Sequence, residues 1–126
     1  MSGTIYEKSM DFAVRIVKLY KYLNDEKNES VMSKQVLRSG TSVGANAAEA
    51  RQAKSKKEFT AKMSISLSEA SETEFWLELL YRSDYLNRRE YESIAGDCRE
   101  LAKILTAIVK TSRADLNGSS TRGIEV

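Results

Sequence analysis

The chain has 126 residues, 41% of them apolar and 30% charged, enough for one continuous core beneath a heavily solvated surface. It contains no proline and no histidine, which disfavours a turn-rich β protein and removes most nucleophile–base pairs and imidazole metal sites. The net charge of +2 does not by itself call for a polyanionic partner, and a single cysteine, Cys98, rules out an intrachain disulfide framework and suits a reducing compartment.

No apolar run approaches the ~20 residues of a membrane span. The opening residues Met1 to Thr4 lack the basic-then-apolar layout of a signal peptide. A soluble cytoplasmic protein with no membrane association is expected.

Four helices are predicted in chain order. In the first, from about Tyr6 or Ser9 to Leu23, the residues Phe12, Ala13, Ile16, Val17, Leu19, Tyr20 and Leu23 recur at steps of three and four. A polar connector from Asn24 to Ser30 follows. The second spans about Val31 to Gln52, with Met32, Val36, Leu37, Val43, Ala47 and Ala48 on its apolar side. Gly40 and Gly44 each cost about 1 kcal/mol in a helix interior. A bend or short break between Ser39 and Gly44 is therefore expected, with Ser42 capping the second half.

The third helix begins after Ser55, where Ser55 and Glu58 match a capping box, and runs to about Arg82, a length of roughly 40 Å. Asp84 to Asn87 form a turn. Asn87 and Glu90 repeat the capping pattern and open the fourth helix, which carries Tyr91, Ile94, Ala95, Cys98, Leu101, Ala102, Leu105, Ile108 and Val109 as its apolar stripe to about Thr111. Residues 1–112 read as a bundle, and the tail from Arg113 to Val126, rich in Gly, Ser and Thr, as disordered. Short loops between long amphipathic helices predict an all-α, antiparallel up-down-up-down four-helix bundle.

The third helix is apolar on two sides. Phe59, Met63, Leu67, Ala70, Leu77, Leu80 and Tyr81 form one side; Ala61, Ile65, Phe75, Trp76 and Leu79 form the other. Two stripes mean burial on two sides, so Ile65, Phe75, Trp76 and Leu79 are the expected oligomer interface. The alternative is that these aromatics pack beneath the first loop.

Neither metal chemistry nor catalysis finds support. Di-iron bundles need Glu-x-x-His elements, and here Glu69, Glu72, Glu74 and Glu78 read as a solvated acidic face. Cys98 falls on the core stripe of the fourth helix, and Gly40 and Gly44 lack the Lys-Ser or Lys-Thr sequel of a phosphate loop. No catalytic residue, metal ligand or cofactor is predicted. The remaining signal is charge. Arg38, Arg51, Lys54, Lys56, Lys57 and Lys62 gather around the turn between the second and third helices, with only Glu49 and Glu58 against them. Acids fill the later half of the third helix, an order opposed to the helix dipole. A basic rim for nucleic-acid backbone, pairing between acidic and basic ends of neighbouring chains, and chance each account for that order. Few aromatics interleave with the bases, so backbone contact is better supported than base stacking. Asn46 and Glu49, three apart beside small residues, are expected to form a structural inter-helix network, with Arg38 as a further member.

The run from Gln35 through Arg38, Ser39, Gly40, Thr41, Ser42, Val43, Gly44, Ala45, Asn46, Ala47, Ala48 and Glu49 to Ala50 resembles the signature of bacterial four-helix-bundle proteins encoded by intervening sequences in large-subunit ribosomal RNA genes. The likeness continues through Lys57-Glu58-Phe59 and the stretch Glu69 to Leu77 and covers most of the chain up to Ser112. Gly44 stands where many relatives carry Pro, and Ala50 where many carry Gly. The resemblance implies a ring-like homopentamer without assigned catalytic residues. Similar bundles serve as basic accessory proteins to reverse transcriptases in diversity-generating retroelements. The expected function is non-catalytic binding of RNA or DNA by the basic rim; the alternative is an oligomeric scaffold for a protein partner.

Overall fold

The computed structural model describes residues 4–125, with side chains described for 5–118. Four helices follow one another: α1 (Thr4–Asp25), α2 (Met32–Arg51), α3 (Lys56–Arg82) and α4 (Arg88–Glu125). The described residues contain no strand. Each helix packs on the next, and α1 meets α4 much more thinly than the other neighbours meet, while α1 and α3 lie on a diagonal without packing on each other. The predicted all-α up-down-up-down bundle is the fold.

The core follows the predicted stripes. Phe12, Ile16, Leu19 and Leu23 of α1, Val36 and Val43 of α2, Met63, Ala70, Leu77 and Leu80 of α3, and Ile94, Cys98, Leu101, Leu105 and Val109 of α4 are all buried. Each fully buried aliphatic side chain contributes about 1.5–3 kcal/mol. Val17 departs from the expected α1 stripe. It is exposed, together with Met10 and Val14.

The helix starts are fixed by side chains. Asn87 Oδ1 accepts from the Glu90 N–H and Glu90 Oε1 from the Asn87 N–H, both at 2.8 Å, a complete reciprocal box. At α3 the Ser55 hydroxyl accepts from the Glu58 N–H at 3.0 Å, but Glu58 reaches one residue further back, to the Lys54 N–H. The start of α2 is capped from within the polar connector, by a residue that no capping pattern marks. The buried Glu29 carboxylate accepts from the N–H groups of Val31, Met32 and Ser33 at 3.0, 2.9 and 2.8 Å. That satisfies three of the donors a helix start leaves without partners. At the end of α3, Asp84 takes a left-handed φ of 68°, and the Tyr85 and Asp84 N–H groups return to the carbonyls of Leu80 and Tyr81, a Schellman closure.

Two expectations are corrected. The glycine-containing stretch of α2 is one continuous helix, with no positive-φ glycine and no cap at Ser42. Gly40 and Gly44 serve close approach to α1: a Cβ on Gly40 would lie 2.8 Å from Ile16 Cγ1, and one on Gly44 would lie 3.3 Å from Ser9 Oγ. The second correction concerns the tail. α4 continues to Glu125 instead of giving way at Arg113. Arg113 donates to Ser64 Oγ and Asp115 pairs with Lys56, so the helix is tied to α3 past the predicted end. Residues 1–3, which hold most of the segment considered as a leader, and Val126 of the tail lie outside the described residues.

Two polar levels fix the register of α1, α2 and α3. On one, Ile16 packs against Gly40 while the adjacent Ser39 shares a 2.8 Å hydroxyl–hydroxyl bond with Thr73. On the other, Ser9 lies against Gly44 while the adjacent Val43 carbonyl accepts from the Ser66 hydroxyl at 2.7 Å. No buried side-chain polar atom among the described residues lacks a hydrogen-bond partner.

Candidate nucleic-acid interface

The basic rim is built on the turn between α2 and α3. Arg51 is the last residue of α2, Ser55 caps α3, and Lys56 and Lys57 open its first turn. The capping bonds at Ser55 and Glu58 hold this turn, so the lysines project from a fixed scaffold. The first N–H groups of α3 add their positive partial charge at the same point.

The six predicted cations differ in what they meet. Arg51 stacks over the Tyr6 ring, 4.0 Å from its centroid. Lys56 sits 3.6 Å from Asp115 and 5.7 Å from the centre of the Phe59 ring. Lys62 pairs with Glu49 at 2.6 Å, and that hydrogen bond raises its pKa above the ordinary lysine value. Lys54 and Lys57 are exposed and have no ion pair among the described residues. Exposed pairs such as Lys56–Asp115 contribute about 0–1 kcal/mol, so an arriving phosphate can displace them.

Arg38 is not part of this rim. It lies one residue from Ser39, on the level of Thr73, where Glu69 and Glu72 of α3 both engage it. Its charge alone groups it with the rim, yet the rest of α2 separates it from Lys54. The same residues explain the acidic half of α3. Arg38 answers Glu69 and Glu72, Arg99 of α4 lies 3.5 Å from Glu74, and Arg82 lies 2.7 Å from Glu78.

The Asn46–Glu49 network does not form as expected. Asn46 donates to the Ser42 carbonyl and hydroxyl within α2, and Glu49 crosses to Lys62. The polar contacts that join the helices are instead Ser39–Thr73, Ser66 to Val43 and Thr60–Ser112. Hydroxyl residues spaced along α3 were the available signal, but their partners lie on other helices and depend on register.

Of the expected interface residues, Phe75 is 59% exposed and Ile65 is exposed as well, while Trp76 and Leu79 are half-buried. Phe75 meets Trp76 edge to face at 5.2 Å, and the Trp76 indole N–H donates to Glu72 at 2.9 Å. Ile65 and Phe75 on the second apolar side of α3 are thus left uncovered within the chain.

Cys98 is fully buried, and its thiol faces the Ala70 carbonyl at 3.3 Å. Burial, with the Glu74 charge adding to it, pushes its pKa up to about 12. Among the described residues no group of three or more His, Cys, Asp or Glu side chains could hold a metal ion. No described helix is long and apolar enough to cross a membrane.

Residues 2–107 match the family model of the 23S rRNA-intervening sequence proteins. The chain belongs to that family. A solved member of the S23 ribosomal protein family from Bacteroides thetaiotaomicron, itself of unknown function, is 57% identical; the match covers 84% of this chain and 98% of that chain, with a TM-score of 0.83. No curated protein matches. Both the basic turn and the exposed side of α3 lie within the family-matched segment. The last part of α4, beyond residue 107, lies outside it.

Proposed function

We propose that this protein is a non-catalytic, cytoplasmic, self-assembling bundle, a homopentamer as the family resemblance implies, that binds the backbone of RNA or DNA through the α2–α3 turn. The carrying observation is the pair Lys54 and Lys57, exposed and without carboxylate partners among the described residues, flanked by Arg51 and Lys56 at the start of α3. Phosphate contact needs unneutralised cations on a rigid support, and these residues supply them. One copy offers a small patch. Several copies in one assembly would present it repeatedly, and the effective concentration after the first contact would compensate for weak single sites.

An electrophoretic shift of a single-stranded RNA and of a duplex DNA at low salt tests this reading. Binding that is lost on changing Lys54, Lys56 and Lys57 to Glu supports it. Binding that ignores those changes, or no binding at all, contradicts it. The exposed Phe75 and Ile65 favour a second reading, a scaffold for a protein partner. A protein that co-purifies after nuclease treatment of the lysate favours that scaffold.

A further inference from the structure

Arg99, Lys103, Thr106, Lys110 and Arg113 recur along α4 at steps of four and three, and all of them are exposed. That spacing sets them on one face of the helix. Between Glu100 and Asp115 the chain carries the bases Lys103, Lys110 and Arg113 and no acid. The acids beside this face are already engaged. Arg99 lies 3.5 Å from Glu74, Lys8 of α1 lies 3.3 Å from Glu100, and Lys56 lies 3.6 Å from Asp115. Lys103 and Lys110 have no ion pair among the described residues. We infer that this face of α4, with the adjoining edge of α3, is a second contact for nucleic acid, a track that carries one backbone strand onward from the α2–α3 turn.

The track joins the rim. Arg113 donates to Ser64 of α3, the hydroxyls of Thr60 and Ser112 are bonded to each other, and Asp115 meets Lys56. The Arg113 end therefore stands beside the first turn of α3, where Lys56 and Lys57 lie. From there to Arg99 the track is about 21 Å long at the rise of an α-helix. That is the length of about six nucleotides of one strand of a duplex. Ser71, two turns beyond Ser64 on the same edge of α3, is exposed and adds a hydroxyl donor.

The lining decides the occupant. A shallow groove of about 920 Å³ runs along this face, with Gly96, Ala102 and Ala107 among Arg99, Lys103 and Lys110, and no aromatic or large aliphatic side chain lines it. The core of a protein interface is enriched in aromatic groups and depleted of lysine. This groove has the opposite composition. Short side chains let a sugar–phosphate strand come close, and unpaired cations answer its charge without reading bases. Lys110 and Arg113 lie beyond residue 107, so the end nearest the rim is built outside the family-matched segment.

The inference rests on the backbone binding in the proposed function and extends it to a separate surface. Its test is an anisotropy titration of a labelled duplex DNA with the full chain at several salt concentrations. Changing Lys103 and Lys110 together to Gln is expected to weaken binding about tenfold or more, and to lower the steepness of the salt dependence by about 1.8. Ala107→Glu removes no base but sets a carboxylate in the groove, and is expected to weaken binding as well. Changing Lys27 and Lys34 together to Gln removes the same charge at the α1–α2 connector. That control is expected to alter binding by less than about twofold, since charges so far from the contact are screened. Track variants that bind like the wild type, while changing Lys54, Lys56 and Lys57 to Glu abolishes binding, overturn the track and leave the rim standing. A control that loses as much as the track variants also overturns the track, because overall charge then accounts for the loss. A wild type that binds no duplex overturns both.

Discussion

Gly40 and Ile16 touch so closely that a single added methyl group on the glycine would lie 2.8 Å from Ile16 Cγ1 and 3.0 Å from Cγ2. Ile16 is fully buried and branched at Cβ, so it has no space to retreat. Gly40→Ala should destabilise the bundle by about 1–3 kcal/mol, even though alanine is the better helix former by about 1 kcal/mol. Gly96 offers the control, because nothing lies within 4 Å of its built Cβ. Gly96→Ala should stabilise by about 0.5–1 kcal/mol. Urea unfolding of the two variants should shift their midpoints in opposite directions.

Glu29 holds the first turn of α2 through three backbone N–H groups. Replacing it with Ala should cost about 1–2 kcal/mol, the upper part of the range for removing a cap. Gln keeps one acceptor oxygen and should cost less. A fall in the unfolding midpoint with an unchanged denaturant slope is the expected signature.

The Cys98 thiol ordinarily ionises near 9.0, and in the fold its pKa rises to about 12. Between those values the folded state holds a proton that the unfolded state releases, so stability should fall as pH rises from about 9 to 12. Cys98→Ala should remove that part of the alkaline decline. A thiol reagent at neutral pH should label the native protein slowly and the denatured protein at once.

Arg38 and Lys57 separate structural charge from binding charge. Lys57→Glu should weaken RNA binding and lower the steepness of its salt dependence by about 0.7–0.9 for each phosphate that is no longer neutralised. Arg38→Gln should leave binding unchanged. Because the Arg38 side chain is half exposed, its pairs with Glu69 and Glu72 should contribute no more than about 1 kcal/mol to stability. Anisotropy titrations of a labelled RNA at several salt concentrations measure the binding effects, and urea unfolding measures the stability.

Periodicity made the bundle legible, because residues such as Ile16, Leu77 and Leu105 sit where a 3.6-residue repeat puts them and are fully buried. It could not assign Val17, whose place beside Ile16 fits the core stripe until the neighbouring helices are positioned. The α2 glycines were legible as unusual, but their cost in an isolated helix suggested a break. Close packing against Ile16 and Ser9 gives them another role. Site electrostatics were the least legible. Arg38 looks like a member of the rim until Glu69 and Glu72, more than thirty positions later, are brought beside it. Arg113 and Asp115 carry α4 onward through contacts with Ser64 and Lys56 that no local pattern announces.

Sedimentation velocity of the protein mixed with a fluorescently labelled single-stranded RNA at low salt, followed at the wavelength of the label, tests self-assembly and backbone binding together. The label should travel with a particle several times heavier than the 14.2 kDa chain, and should be released as salt is raised. RNA that sediments alone beside a protein of one chain would contradict the account.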